Sequence, residues 1–443
     1  MNQTTNSGSS TLSDYLLPVK NFIQGIYPII VLSFCGFFLF YKYVLQVYPS
    51  VITKELMLGF HLNGFGLGNL SATFFYSYVI TQLFAGVLLD KYGARLLTAV
   101  AIFCSAIGIC IFSQTTNLLI AELSRALMGF GIAFATVAYM KMVAVWFPPN
   151  RYAFLSGLCA TAAMAGAVFG EAPLQMMIFA VGWRESLYLC GLIGCVIAVL
   201  FILFVRNNRT ESTPTGLSKE ENRLLFKDIL AAWCNKQNWL LTAYYGLAFS
   251  PLVIFGGLWG NPFLQKAYNL THTQSASFLS LLFIGLGLGS PILGAISDRL
   301  GKRWTVMFYG GLVSLFSVLL IVYFPYSPIW LVGVLLFIFG FMTGASMISF
   351  AMGKETNKIA LLATIAAMIN AGDAILDSIS EPLVGKFLDL GWTGKVINGV
   401  HNFTLGDYQH ALSLLPIYLI LASVLLFFIR EKPKSTQIQA KTF

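Results

Sequence analysis

Asp373, Asp377 and Glu381 stand four residues apart in a stretch that is otherwise mostly apolar. On a helix this spacing stacks three carboxyls in one stripe. Like charges crowded together with little water resist ionising together, which is what a proton-binding site working near neutral pH requires. A structural role is the competing reading: Asp373 and Asp377 bonded to neighbouring groups, and Glu381 at the water interface. Glu171 precedes Glu381 by 210 positions, and each acid lies just before a proline, Pro173 and Pro382. The two acids read as repeat-related partners, with proton coupling and helix bracing both open for Glu171.

Two cations stand in similarly apolar surroundings. Arg125 has a guanidinium fork able to hold a substrate carboxylate in two bonds, while Glu122 one turn away offers it a structural ion pair. Lys42, between Tyr41 and Tyr43, either snorkels to an interface or acts as an anion ligand. Lys141 reads as a snorkelling residue. Asn69, Tyr76, Tyr78, Tyr139, Tyr245, Asn261 and Asn370 are candidates to complete a pocket. Asn261 is favoured because Gly256 to Pro262 suits an unwound helix with free carbonyls.

Other chemistries lack support. The four histidines, His61, His272, His401 and His410, have no ligand-spaced partners, so no metal site is expected. The seven cysteines fall mostly in apolar runs without a pairing pattern. No nucleophile and base stand together, and the glycine rows at 64–68 and 285–289 follow no strand, so they suit helix packing and not dinucleotide binding. Neither an enzyme nor a cofactor is expected.

The elements that must hold these groups follow from composition. Only 10% of the 443 residues are charged and 57% are hydrophobic, against about 25% charged in soluble domains. The chain reads as an all-α integral membrane protein. Apolar segments near 24–48, 66–89, 95–113, 118–147, 152–180 and 185–205, then 238–263, 274–297, 304–324, 328–352, 358–388 and 409–430, make twelve transmembrane helices. Each buried charge then costs at least about 2.5–3.5 kcal/mol and needs a partner or a task. The net charge of +9 falls in short loops on one side, which suits a cytoplasmic face with both termini inside, and no nucleic acid. The expected division is a polar tail 1–23, a six-helix bundle 24–205, an amphipathic linker 206–237 on the membrane surface, a second bundle 238–430 and a tail 431–443.

A hinge sequence occurs twice. Gly86, Asp90, Lys91, Gly93 and Arg95 recur 208 positions later as Gly294, Asp298, Arg299, Gly301 and Lys302 with Arg303. Each copy lies between the second and third segment of its half, which implies duplication. Arg125 and the Asp373/Asp377 pair have no repeat counterparts.

The pattern G-x-x-x-D-[KR]-x-G-x-[KR] resembles the signature loop of the major facilitator superfamily. Arg125 to Gly131, Trp146 to Arg151 and Gly182 to Arg184 resemble other stretches common in that family. The resemblance implies two six-helix pseudo-symmetric halves that rock about a central site, with a monomer as the expected state. It also implies that Asp90 pairs with basic residues and the start of the eleventh helix, and that Arg125 takes part in coupling. Leu96 stands where many members have a second basic residue. Helix five has Gly166, Gly170 and Glu171 without the Gly-Pro pattern of drug/proton antiporters, which weighs against efflux. Tyr41 to Ser50 resembles, more faintly, bacterial uptake carriers of the phagosomal transporter type.

The expected function is therefore proton-coupled uptake of a small polar solute across a bacterial cytoplasmic membrane. Cations in the first half and acids in the second suit a zwitterion such as an amino acid, bound by Lys42, Arg125, Asn261, Asp373, Tyr76 and Tyr245. Asp373, Asp377, Glu381 and Glu171 are the expected proton carriers. An organic anion, such as a sugar acid or carboxylate, is the alternative cargo. A solute receptor that does not transport is the alternative class.

Overall fold

The computed structural model describes residues 12–147, 152–206, 231–357, 361–397 and 399–431, without the side chains of residues 12–26, Asp90, Lys91 and a few others. The first half comprises α1 (Leu12–Val47), α2 (Thr53–Phe60), α3 (Gly64–Tyr92), α4 (Ala94–Gln114), α5 (Leu118–Ile132), α6 (Ala135–Trp146), α7 (Tyr152–Val181) and α8 (Trp183–Phe204). The second comprises α9 (Lys236–Ile254), α10 (Gly260–Tyr268), α11 (His272–Leu300), α12 (Arg303–Tyr323), α13 (Ile329–Thr343), α14 (Ile348–Thr356), α15 (Leu362–Gly391), α16 (Leu405–Ala411) and α17 (Leu414–Leu426). Paired short helices such as α5 with α6 and α13 with α14 each make one crossing.

Among the described residues, ten spans are long and apolar enough to cross a membrane. The helices α3 and α15, of 29 and 30 residues, supply the other two crossings. At 1.5 Å per residue each is over 40 Å long. Along them stand Asn69, Ser71 and Gln82, and Asn370, Asp373 and Asp377. The two helices pack on each other where the halves meet, as α7 does on α11.

Both hinges are tight turns at what is here called the hinge face. Gly93 has φ +82° and Gly301 φ +64°, backbone that a side chain with a Cβ rarely adopts. Asp298 pairs with Arg303, which also reaches Glu355 at 2.8 Å. Arg95 donates to the carbonyl of Ile202. The side chains of Asp90 and Lys91, the start of the eleventh helix and most of the expected surface linker lie outside the described residues.

At the opposite, far face, the helices start on side-chain caps. Asn63 accepts from the Gly66 amide at 2.8 Å. Thr271 with Gln274, and Thr404 with Asp407, form reciprocal capping boxes. A short antiparallel hairpin, Val396–Ile397 with Val400–His401, also lies here.

The structure revises two local expectations. The first helix begins at Leu12, within the stretch expected as a polar tail. Gly256 to Pro262 does not unwind: residues Phe255–Trp259 form one widened turn in which the Gly260 amide donates to the Phe255 carbonyl. No row of free carbonyls results.

Candidate functional site

Lys42 is 5% exposed, since α1 continues past it to Val47 and leaves no route for snorkelling. Its Nζ donates to Tyr78 Oη at 3.1 Å and lies over the rings of Tyr78 and Tyr43, 4.8 and 5.2 Å from their centres. Asn370, from the second half, donates to the same Tyr78 oxygen at 3.1 Å. One hydroxyl thus accepts from both halves. One turn beyond Asn370, Asp373 faces Lys42 and Tyr245, with one carboxyl oxygen buried and unbonded. Tyr245 stacks on Phe249 and packs edge-on against Phe350.

Arg125 is 1% exposed and is held by the first half alone. Its Nη1 donates to the Leu45 carbonyl at 3.2 Å and its Nη2 to the Ser71 carbonyl at 3.0 Å and Ser71 Oγ at 3.3 Å. The guanidinium lies against Tyr48 and Phe74, and its Nε–H has no acceptor. Glu122 is not its partner: that acid accepts from Asn69 Nδ2 at 3.0 Å. Both side chains meet α3 but at different residues, Arg125 at Ser71 and Phe74 and Glu122 at Asn69. Ser71 also faces Glu381, so this serine stands between the cation of one half and an acid of the other.

The three carboxyls of α15 do not share one environment. Asp377 is buried beside Ser250, Asp373 and Tyr418, inside the second half, and Ser250 Oγ bonds the Asp373 carbonyl at 3.2 Å. Glu381 is also buried, so it is not at the water interface. The 100° advance per residue turns an i, i+8 pair by about 80°, enough to separate the neighbours of Asp373 and Glu381.

Glu171 builds a second cluster. Ser50 Oγ donates to its Oε1 at 2.6 Å and Asn261 Nδ2 to its Oε2 at 2.8 Å, while Asn261 Nδ2 also reaches Ser50 Oγ at 3.2 Å. All three are buried. Asn261 belongs to the second half, so the cluster ties the halves together. Asn261 is not brought to the Lys42 cluster.

Tyr76 is not brought there either. It is 39% exposed and donates to Asn69 Oδ1 at 3.2 Å. Two residues along a helix turn about 200°, so Tyr76 and Tyr78 point to opposite sides, and Tyr78 is the one at the site. Tyr139 donates to the Leu155 carbonyl, and Lys141 to the Leu89 carbonyl. Ser50 and Ser71 are absent from the expected set because a serine in a helical span carries no signal of its own. Among the described residues no cluster of metal-ligating side chains is present.

The model of a transporter family, the Major Facilitator Superfamily, matches residues 28–380 and 254–442. The hexuronate transporter of Bacillus subtilis (strain 168) is 27% identical over 248 residues, 54% of this chain and 56% of that protein. The probable galactarate/D-glucarate transporter GudP of the same organism is 24% identical over 77% of this chain and 79% of its own length. The chain spans little more than half the length of several curated relatives it matches, the hexuronate transporter among them. In fold, it superposes on a bacterial homologue of the human lysosomal transporter Spinster with a TM-score of 0.73 at 13% identity, over 91% of this chain and 97% of the other.

Proposed function

The chain belongs to the Major Facilitator Superfamily, and from that premise we propose that it carries a small organic anion, a sugar acid or related carboxylate, together with protons. The observation that carries this reading is a pair of buried cations that make no direct ion pair. Among the described residues, neither Lys42 nor Arg125 has a carboxylate within 4 Å. A buried charge left unpaired is costly, and an anionic cargo supplies what is missing. Lys42 is the primary anion ligand, because its acceptor, the Tyr78 hydroxyl, is displaceable. Arg125 is more tightly held and sets the positive field behind it.

The names of the relatives favour this cargo over an amino acid. An ammonium-bearing cargo would need Asp373 for itself, whereas Asp373 already faces Lys42. Asp373, with Asp377 and Glu381, is better placed to take up the proton that accompanies the anion. Residues 24–205 and 238–430 form the two rocking bodies, joined by 206–237. The hinge face, with Arg95, Lys302, Arg303 and Lys354, lies in the cytoplasm of a bacterial cell by the excess of basic residues there.

Purified protein in liposomes, given an inward proton gradient, tests the reading. Labelled hexuronates, aldonates and aldarates should accumulate, and amino acids should not. Accumulation of amino acids alone would overturn it, and binding without counterflow would make the protein a receptor.

A further inference from the structure

Asp389 lies in the last turn of α15, two residues from its end at Gly391. A carboxylate there faces the negative end of its own helix dipole, which is unfavourable. The other half supplies the explanation. Asp389 Oδ1 accepts from the amide of Gly64 and Oδ2 from the amide of Phe65, both at 2.8 Å, at the positive start of α3.

An α-helix begins with amides that have no partner within it. In α3, Asn63 satisfies that of Gly66 from within the first half, while those of Gly64 and Phe65 are satisfied from the second half. The cap is therefore complete only when the halves touch at the far face.

The local sequence makes room for this contact. A Cβ on Gly64 would lie 2.5 Å from the Gly385 carbonyl and 3.1 Å from Asp389 Oδ1, and a Cβ on Gly385 would collide with the Gly64 carbonyl. Behind the carboxylate, His401 Nδ1 stands 3.6 Å from Oδ1, its ring stacked 3.7 Å from that of Trp392. A Cβ on Gly399 in the hairpin turn would lie 3.2 Å from Leu58 Cδ2 of the first half.

We propose that Asp389 is the far-face latch of the transport cycle, a positioning residue that caps α3 across the interface when the far face is closed and releases it when that face opens. Nothing in this assignment depends on the cargo. It rests on the rocking-halves part of the proposed function, and it is tested without cargo, so a wrong substrate class leaves it standing.

The test uses the full-length protein with its reactive native cysteines replaced and one reporter, Val47→Cys. Val47 is buried between the halves near the far end of α1. The rate of modification by a membrane-impermeant maleimide reads far-face opening. Asp389→Ala should raise that rate at least tenfold, and Asp389→Asn, which keeps one acceptor, should raise it less. Asn63→Ala removes a cap from the same helix start without linking the halves, and should leave the rate within about twofold. Equal rates for Asp389→Ala and Asn63→Ala, or no change with Asp389→Ala, would overturn the assignment. Should Asp389→Ala fold poorly, Asp389→Asn decides alone: a rate unchanged from the parent overturns the latch.

Discussion

Replacing Asn261 by alanine should loosen the far face without unfolding either half. Its Nδ2 makes two bonds, to Glu171 Oε2 at 2.8 Å and Ser50 Oγ at 3.2 Å, and both acceptors belong to the other half. Its Oδ1 has no partner to lose. A hydrogen bond contributes about 1 kcal/mol. The pair therefore favours the closed far face by about 2 kcal/mol. At tenfold per 1.4 kcal/mol, the open-to-closed ratio should rise by about 30-fold. Maleimide modification of Val47→Cys reads the change, and thermal unfolding is the control, since each bundle keeps its internal contacts. An unchanged modification rate, with transport at the parental level, would refute the claim that this cluster holds the halves together. A fall in thermal stability without faster modification would assign the cluster to folding instead.

Gly68→Ala should shift the cycle the same way: its Cβ would lie 2.7 Å from Pro382 Cα and closer still to the Glu381 carbonyl, with only backbone to yield. Overpacking of this kind costs about 1–3 kcal/mol, so transport should fall at least fivefold while far-face labelling rises. Lys42→Met should raise the KM for a transported sugar acid more than tenfold with a smaller change in maximal rate, which initial-rate uptake measures; an unchanged KM would remove Lys42 from the site. Arg125→Lys cannot span the carbonyls of Leu45 and Ser71 and should lower uptake by about a hundredfold, a loss that normal uptake by the purified variant would contradict. Asp373→Asn should abolish accumulation driven by a proton gradient while sparing counterflow at equal pH; if both survive, Asp373 does not carry the proton.

The residues legible in advance were those whose cost does not depend on the fold. A charge in hydrocarbon is expensive wherever the helix points, so Lys42, Arg125, Glu171, Asp373, Asp377 and Glu381 stood out, and all are inside the protein away from lipid. Their partners were not legible. Glu122 was one of two partners open for Arg125, because only sequence neighbours can be read from spacing, yet its donor is Asn69, 53 residues away. Asn261 was picked out for helix breaking, and it matters instead as a donor to Glu171 and Ser50.

By itself, the sequence determined the membrane class, the twelve crossings, the repeated hinge and the list of charges that need an explanation. Hydropathy, turn chemistry and helical period are local properties and survive any arrangement of the helices. Only the tertiary structure decided that Tyr78 and not Tyr76 meets Lys42, that Ser71 stands between Arg125 and Glu381, and that Asp389 caps a helix 325 residues away. Each depends on how a helix is rotated about its axis and on which helix of the other half it meets. Neighbouring residues leave that rotation open, and the packing of α3 on α15 and α7 on α11 sets it.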